Sequence, residues 1–217
     1  MDLLKRLMKN KQFVLFSILA LIVILIAIFA PWVATKNPYD AIMTDSLVPP
    51  GEKYMWGTDR LGRDIFSRIV YGIRPSLIMT FTLVTVVFVV GTGLGILAGY
   101  FGGIADTIIM RFADMMISFP GLVLAIAVAG LLGPNMINAV LAIALVSWPK
   151  YARLARSLVL KIKNNMYIEA AIVGGARTGK IIGKYLIPNM IPTMIVTATT
   201  DIGTMMLELA SLSFLGF

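Results

Sequence analysis

Two carboxylates, Asp201 and Glu208, stand in an otherwise apolar stretch and are the first residues that could do chemistry. A spacing of seven is nearly two α-helical turns, so both project from roughly one face. A carboxylate at membrane depth is costly and normally faces a cavity or a partner. Asp201 therefore suits attraction of a cation, such as an amine or a metal complex, or a polar contact with another subunit. Glu208 lies nearer the end of the stretch and suits an interfacial role. An intramembrane enzyme using both groups is the alternative from a different class. Two carboxylates stacked on one helix, with no nucleophile elbow, suit acid–base work poorly. The chain also has no Cys and no His. That excludes disulfides, thiolate or imidazole metal sites, and Cys- or His-based nucleophiles within it. Neither a catalytic residue nor a metal site is expected.

Two patterns overlap further upstream. Gly174–Lys180 matches the phosphate-loop spacing, but Ile181 stands where Ser or Thr must bind magnesium. That motif also needs a preceding buried strand, and Met166–Val173 reads as a helix. The second pattern is Glu169-Ala170-Ala171 followed by Gly175, with Pro188 beyond. It predicts a short helix of small side chains that can seat closely in a groove, a glycine turn, and a return into an apolar helix. Glu169 also suits the positive end of its own helix.

The elements that position these residues follow from composition. Hydrophobic residues make up 59% and charged residues 14% of the 217 residues, well below the roughly 25% charged of a soluble domain. Much of that apolar surface must face lipid. The net charge of +8 is topological in origin: Lys5, Arg6, Lys9 and Lys11 precede the first apolar run, and a second group of cations lies between Lys150 and Lys184. No aromatic-interleaved basic face accompanies them, so nucleic acid is not a partner. The 14 Met residues show no pairing pattern.

The expected fold class is an all-α membrane protein, a multi-pass helical bundle with five spans. Residues 1–12 form a cytoplasmic tail and 13–34 the first helix, whose apolar core is too long for a signal peptide. Residues 35–75 make an external loop, in which Thr58 or Asp59 would cap a helix Ile65–Ile73. The second span is Ser76–Phe101. Its glycines at 91, 95, 99 and 103 share one face, where another backbone can approach. Gly102–Asp114 would be a short cytoplasmic connection with Asp106, Arg111 and Asp114. The uncharged run Met115–Pro149 would be a hairpin of two short spans turning at Gly133-Pro134-Asn135, with Trp148 and Tyr151 as interfacial anchors. The segment 150–188 would lie in the cytoplasm, and Pro188 would open a fifth span to about Leu209. Five crossings with the N-terminus inside would leave Phe217 outside and unanchored, which suggests that the given sequence stops short of a natural terminus.

At Glu169-Ala170-Ala171 and Gly175 the chain resembles the cytoplasmic coupling motif of ATP-binding cassette importer permeases. Further stretches are similar to one branch of that family, the second permease of dipeptide, oligopeptide and nickel importers: Trp56–Asp64, Gly99–Gly103, Met110–Asp114, Ser147–Arg153 and Leu212–Gly216. They occur in the family's order across nearly the whole chain. Tyr185 and Ile187 depart from the branch, which usually has His and Leu there. The resemblance implies a type I importer permease fold, with a sixth membrane helix beyond the Leu-Gly segment, and a plasma-membrane subunit for peptides or nickel and metal-chelate complexes. It implies a second, related permease, two ATP-binding subunits that hold ATP and Mg, and an extracytoplasmic substrate-binding protein. This chain itself would bind no cofactor. Glu169–Gly175 would couple to the ATPase; the residues themselves, apart from the resemblance, make Asp201 and Glu208 the candidates to line the translocation path.

Overall fold

The computed structural model describes residues 9–217. Lys5, Arg6 and most of the expected tail lie outside the described residues. The chain divides into two compact units, the first ending at Ile78 and the second Met79–Phe217.

In the first unit, α1 (Lys11–Ile28) starts at Asn10, whose side chain accepts hydrogen bonds from the Gln12 and Phe13 amides. It ends at Phe29, and a single turn, α2 (Ala30–Val33), continues with Pro31 in its first turn. The loop 35–64 is held by its own polar side chains. Asp45 accepts from Lys53 and from the Tyr54 hydroxyl, both at 2.6 Å. Two left-handed glycines fold the loop tightly: a Cβ at Gly57 would lie 2.5 Å from the Val48 carbonyl oxygen, and one at Gly62 would overlap the Ile42 carbonyl. The helix cap differs from expectation. Asp64 caps the next helix by accepting from the Ser67 amide at 2.9 Å. Thr58 instead accepts from the Val48 amide at 2.8 Å and donates to the Asp45 carbonyl at 2.5 Å. Asp59 binds the Leu61 and Arg63 amides.

Helix α3 (Ile65–Phe101) begins eleven positions before the expected Ser76 and runs through Pro75. Proline removes one ladder hydrogen bond, and the Ser76 hydroxyl bonds the Gly72 carbonyl at 2.7 Å beside it. One helix therefore replaces the separate helix and span.

The second unit follows with α4 (Gly103–Ile117), α5 (Gly121–Leu132), α6 (Met136–Lys163), α7 (Met166–Val173), α8 (Thr178–Lys180), a π-helical stretch Ile181–Leu186, and α9 (Ile187–Phe214). Helix α4 corrects the expected connection Gly102–Asp114. Gly102 and Gly103 break the chain at φ +65° and +53°, and helix resumes at once. The α5–α6 turn lies where the Gly133-Pro134-Asn135 signal put it. Asn135 caps α6 through the Ile137 amide at 2.8 Å, and the Asn138 amide closes the turn on the Leu132 carbonyl at 2.8 Å.

Among the described residues, length and composition alone do not reach the expected count of five spans. Lys11–Ile28, Ile65–Phe101 and Thr178–Phe214 are long and apolar enough to cross a membrane, and α4 with α5, bent by 92°, supplies a fourth if counted as one. At 12 residues, α5 extends only about 18 Å. Helix α6 does not stop at Pro149 but carries the cations Lys150, Arg153 and Arg156 in continuous helix.

Candidate functional site

Helix α6 is the axis of the second unit, and the glycine stripe sets how closely it packs. A Cβ at Gly91 would lie 2.5 Å from that of Tyr151, one at Gly95 2.6 Å from that of Ala155, and one at Gly99 2.9 Å from that of Val159. Contacts advance along both helices together, so α3 and α6 run parallel with backbones nearly touching. Gly103 does not belong to this stripe. It has left-handed φ and open space around it, because the helix ends at Phe101. Tyr151, expected at the interface, is instead fully buried, its ring edge-on to Phe88 at 6.1 Å.

Close packing brings charges together that are far apart in sequence. Lys150 Nζ donates to both oxygens of Asp201, at 2.6 and 2.8 Å. Asp201 is 6% exposed, so its carboxylate is already paired within this chain. Glu208 is half-buried and borders the same cavity of about 130 Å³, together with Ser147 and Thr204. Two further pairs tie α4 to α6: Arg156 clamps Asp106 at 2.5 and 2.6 Å, and Arg153 meets Asp114 at 2.5 Å. Sequence reasoning treated Asp106, Asp114 and Lys150 as loop charges and missed these pairings. Asp114, Lys150 and Arg153 fall within the family-like stretches Met110–Asp114 and Ser147–Arg153, whereas Asp106, Arg156 and Asp201 lie outside them.

Beyond α6 the chain turns into α7, whose Asn165 cap position is followed by Glu169 in the first turn. Ile168 is fully buried and anchors the helix. Glu169 and Ala170 are exposed, Ala171 is half-buried, and Met166 and Val173 are 87% and 88% exposed. The helix ends in a glycine turn: the Ala176 amide bonds the Ala171 carbonyl at 3.0 Å across Gly175, at φ +79°. A helix, not a strand, therefore precedes the phosphate-loop-like residues. Helical structure returns at Thr178, ten residues before Pro188, and passes through the π-helical stretch into α9, which carries Asp201 and Glu208. Pro188 lies in the first turn of α9 and Pro192 inside it. The segment 150–188 is thus the end of one long helix, a short exposed helix, and the start of another.

In the first unit, Asp59 gathers Arg63 at 2.8 Å and Arg68. Burial pushes its carboxyl up, but hydrogen bonds from the Arg63 backbone and guanidinium and the Leu61 amide outweigh it and bring it down to about 2.

Residues 91–217 match the family model "Binding-protein-dependent transport system inner membrane component", and residues 1–50 match "N-terminal TM domain of oligopeptide transport permease C". The chain is 43% identical, over 98% of its length and 70% of the relative's, to the dipeptide transport system permease protein DppC of Alkalihalophilus pseudofirmus. It is 41% identical, over 92% and 67%, to the probable D,D-dipeptide transport system permease protein DdpC of Escherichia coli. A more distant likeness is a solved amino acid ABC transporter with histidines, at 22% identity and a TM-score of 0.46, over 71% of this chain and 77% of that one.

Proposed function

Because this chain belongs to the family of binding-protein-dependent transport system inner membrane components, we propose that it is the membrane-spanning subunit of an ATP-driven importer for peptides. The named relatives are permeases of dipeptide and D,D-dipeptide systems, which favours peptide over nickel or another metal complex. A second, related permease would complete the path. Two ATP-binding subunits would hold ATP and Mg, and an extracytoplasmic binding protein would deliver cargo. The N-terminus and α7 would face the cytoplasm, where Lys and Arg are retained.

One observation carries the mechanism. Helix α7 presents an exposed surface, yet it is joined directly to α6, which holds Lys150, and through Gly175 to the helix that holds Asp201. A displacement of α7 by an ATPase would therefore act on both sides of the ion pair at once. Glu169, Ala170 and Ala171 would seat in the ATPase groove, and Gly175 would set the angle of return. Two helices that repack as rigid bodies transmit one two-state equilibrium to another.

Co-purification tests this reading. In the complete assembly, Glu169→Arg and Gly175→Asp are expected to weaken retention of the ATPase on the tagged permease while leaving the permease pair intact. Full retention of the ATPase in both variants would refute the docking role of α7.

A further inference from the structure

We infer that Lys150, Asp201 and Glu208 form a subsite for a primary ammonium group, the amino terminus of a peptide, in which Lys150 occupies the carboxylate until cargo displaces it. This rests on the importer reading above. Four observations converge on it. The cavity bordered by Lys150, Asp201 and Glu208 sets two carboxyl groups against a single cation, so one carboxyl group is without a cation of its own. Among the described residues, no side chain hydrogen-bonds or ion-pairs with Glu208. The partners of the existing pair are unequal: the Asp201 side chain is 8% exposed and that of Lys150 60%. The carboxylate is thus held in place, while the ammonium rides on a flexible four-carbon stem. Finally, the buried Tyr151 hydroxyl lies beside the Asp201 carboxylate, toward which it can donate, and so helps to hold that group in place.

The chemistry of the groups selects the ligand. Among the described residues no group of three or more His, Cys, Asp or Glu could hold a metal ion, and a cation held by two carboxylates and hydroxyls suits an ammonium better than a transition metal. The Lys150 side chain and a peptide amino terminus carry the same –NH3+ head. Exchanging one for the other leaves Asp201 paired throughout, so the buried carboxylate never stands alone. Glu208, with the hydroxyls of Ser147 and Thr204 on the same cavity wall, would receive the incoming group before it reaches Asp201. No covalent step is involved.

The test is uptake of labelled alanyl-alanine by the complete transporter in proteoliposomes, with its binding protein and ATPases. The two sides of one ion pair should respond with opposite signs. Asp201→Asn and Glu208→Gln are expected to raise KM by roughly tenfold, as loss of one charge-assisted contact does. Lys150→Met should lower KM, because the built-in competitor is gone. A purely structural pair predicts impairment from both Lys150→Met and Asp201→Asn. A raised KM in Lys150→Met, or an unchanged KM in Glu208→Gln, overturns the inference; the latter variant breaks no ion pair and so is spared that folding cost. Failure of the wild-type assembly to take up any dipeptide would instead overturn the importer reading, and the subsite with it.

Discussion

At the scale of single residues, charge is placed economically and each charged contact has a local reason. Asp59 is the clearest case outside the membrane helices. An unperturbed Asp titrates near about 3.9, whereas Asp59 is held down to about 2 by the hydrogen bonds of Arg63 and Leu61 acting against burial. A lowered carboxyl favours the folded loop above its unfolded value and ceases to do so as pH falls through the folded one. The loop 35–64 is therefore expected to keep its structure from neutral pH to about 4 and to loosen between about 4 and 2. Asp45, lowered first by its hydrogen bond from Lys53 and then by that from Tyr54, should reinforce the same trend. Trp56 packs edge-on against Phe66 at 5.2 Å and reports on the loop. In a chain carrying Trp32→Phe and Trp148→Phe, its emission should shift across that pH range, and Asp59→Asn should abolish most of the shift. An acid transition unaltered by Asp59→Asn would disprove the assignment.

At the scale of elements, the parallel packing of α3 on α6 depends on absent side chains. Gly95 has the Ala152 carbonyl and the Ala155 methyl directly opposite, so a larger residue must push the helices apart. Gly95→Val is expected to cost about 1–3 kcal/mol through overpacking, read as a lowered thermal midpoint of the purified chain in detergent. Gly93 on the other side has nothing within 4 Å. Gly93→Ala should leave the midpoint unchanged or raise it slightly, by up to about 1 kcal/mol. Equal losses in both variants would show that helix propensity, not close approach, governs this region. The stripe was legible at 91, 95 and 99 because a four-residue period is a local property. Gly103 fits the same period but falls beyond the end of the helix, and no spacing rule reports where a helix stops. Pro75 misled in the opposite direction, since a proline that usually ends a helix is tolerated here within α3.

At the scale of the whole molecule, ATP-driven motion should reach the Lys150–Asp201 cavity only through α7. The absence of cysteine makes this measurable. Ser147 lines the cavity without joining the ion pair, so Ser147→Cys places a single thiol in this chain there. In the assembled transporter, its alkylation rate, followed by mass on this chain, is expected to change several-fold between nucleotide-free and ATP-bound states; a several-fold effect corresponds to about 1 kcal/mol of differential stability. The proposed docking of α7 predicts that the change disappears in Glu169→Arg. Persistence of the nucleotide response in that variant would require a route other than α7.

Local information was enough to recognise a helical membrane protein, the glycine-lined face, the turn at Gly133–Asn135, and the short helix with its break at Gly175. Each rests on composition or on contacts within a few residues, and such features are written along the chain. The two acids that opened the sequence reading were legible as unusual, but not their circumstances. Lys150 and Asp201 are 51 positions apart, and Arg156 and Asp106 are 50 apart. Which cation meets which carboxylate depends on which helices pack and in what direction, and that is set by the whole arrangement of the second unit. Asp201 thereby changed from a lone intramembrane charge into half of a bidentate pair, with Glu208 left unpaired beside it. Burial makes that difference consequential, because away from water a charge is defined by the neighbours that tertiary packing supplies.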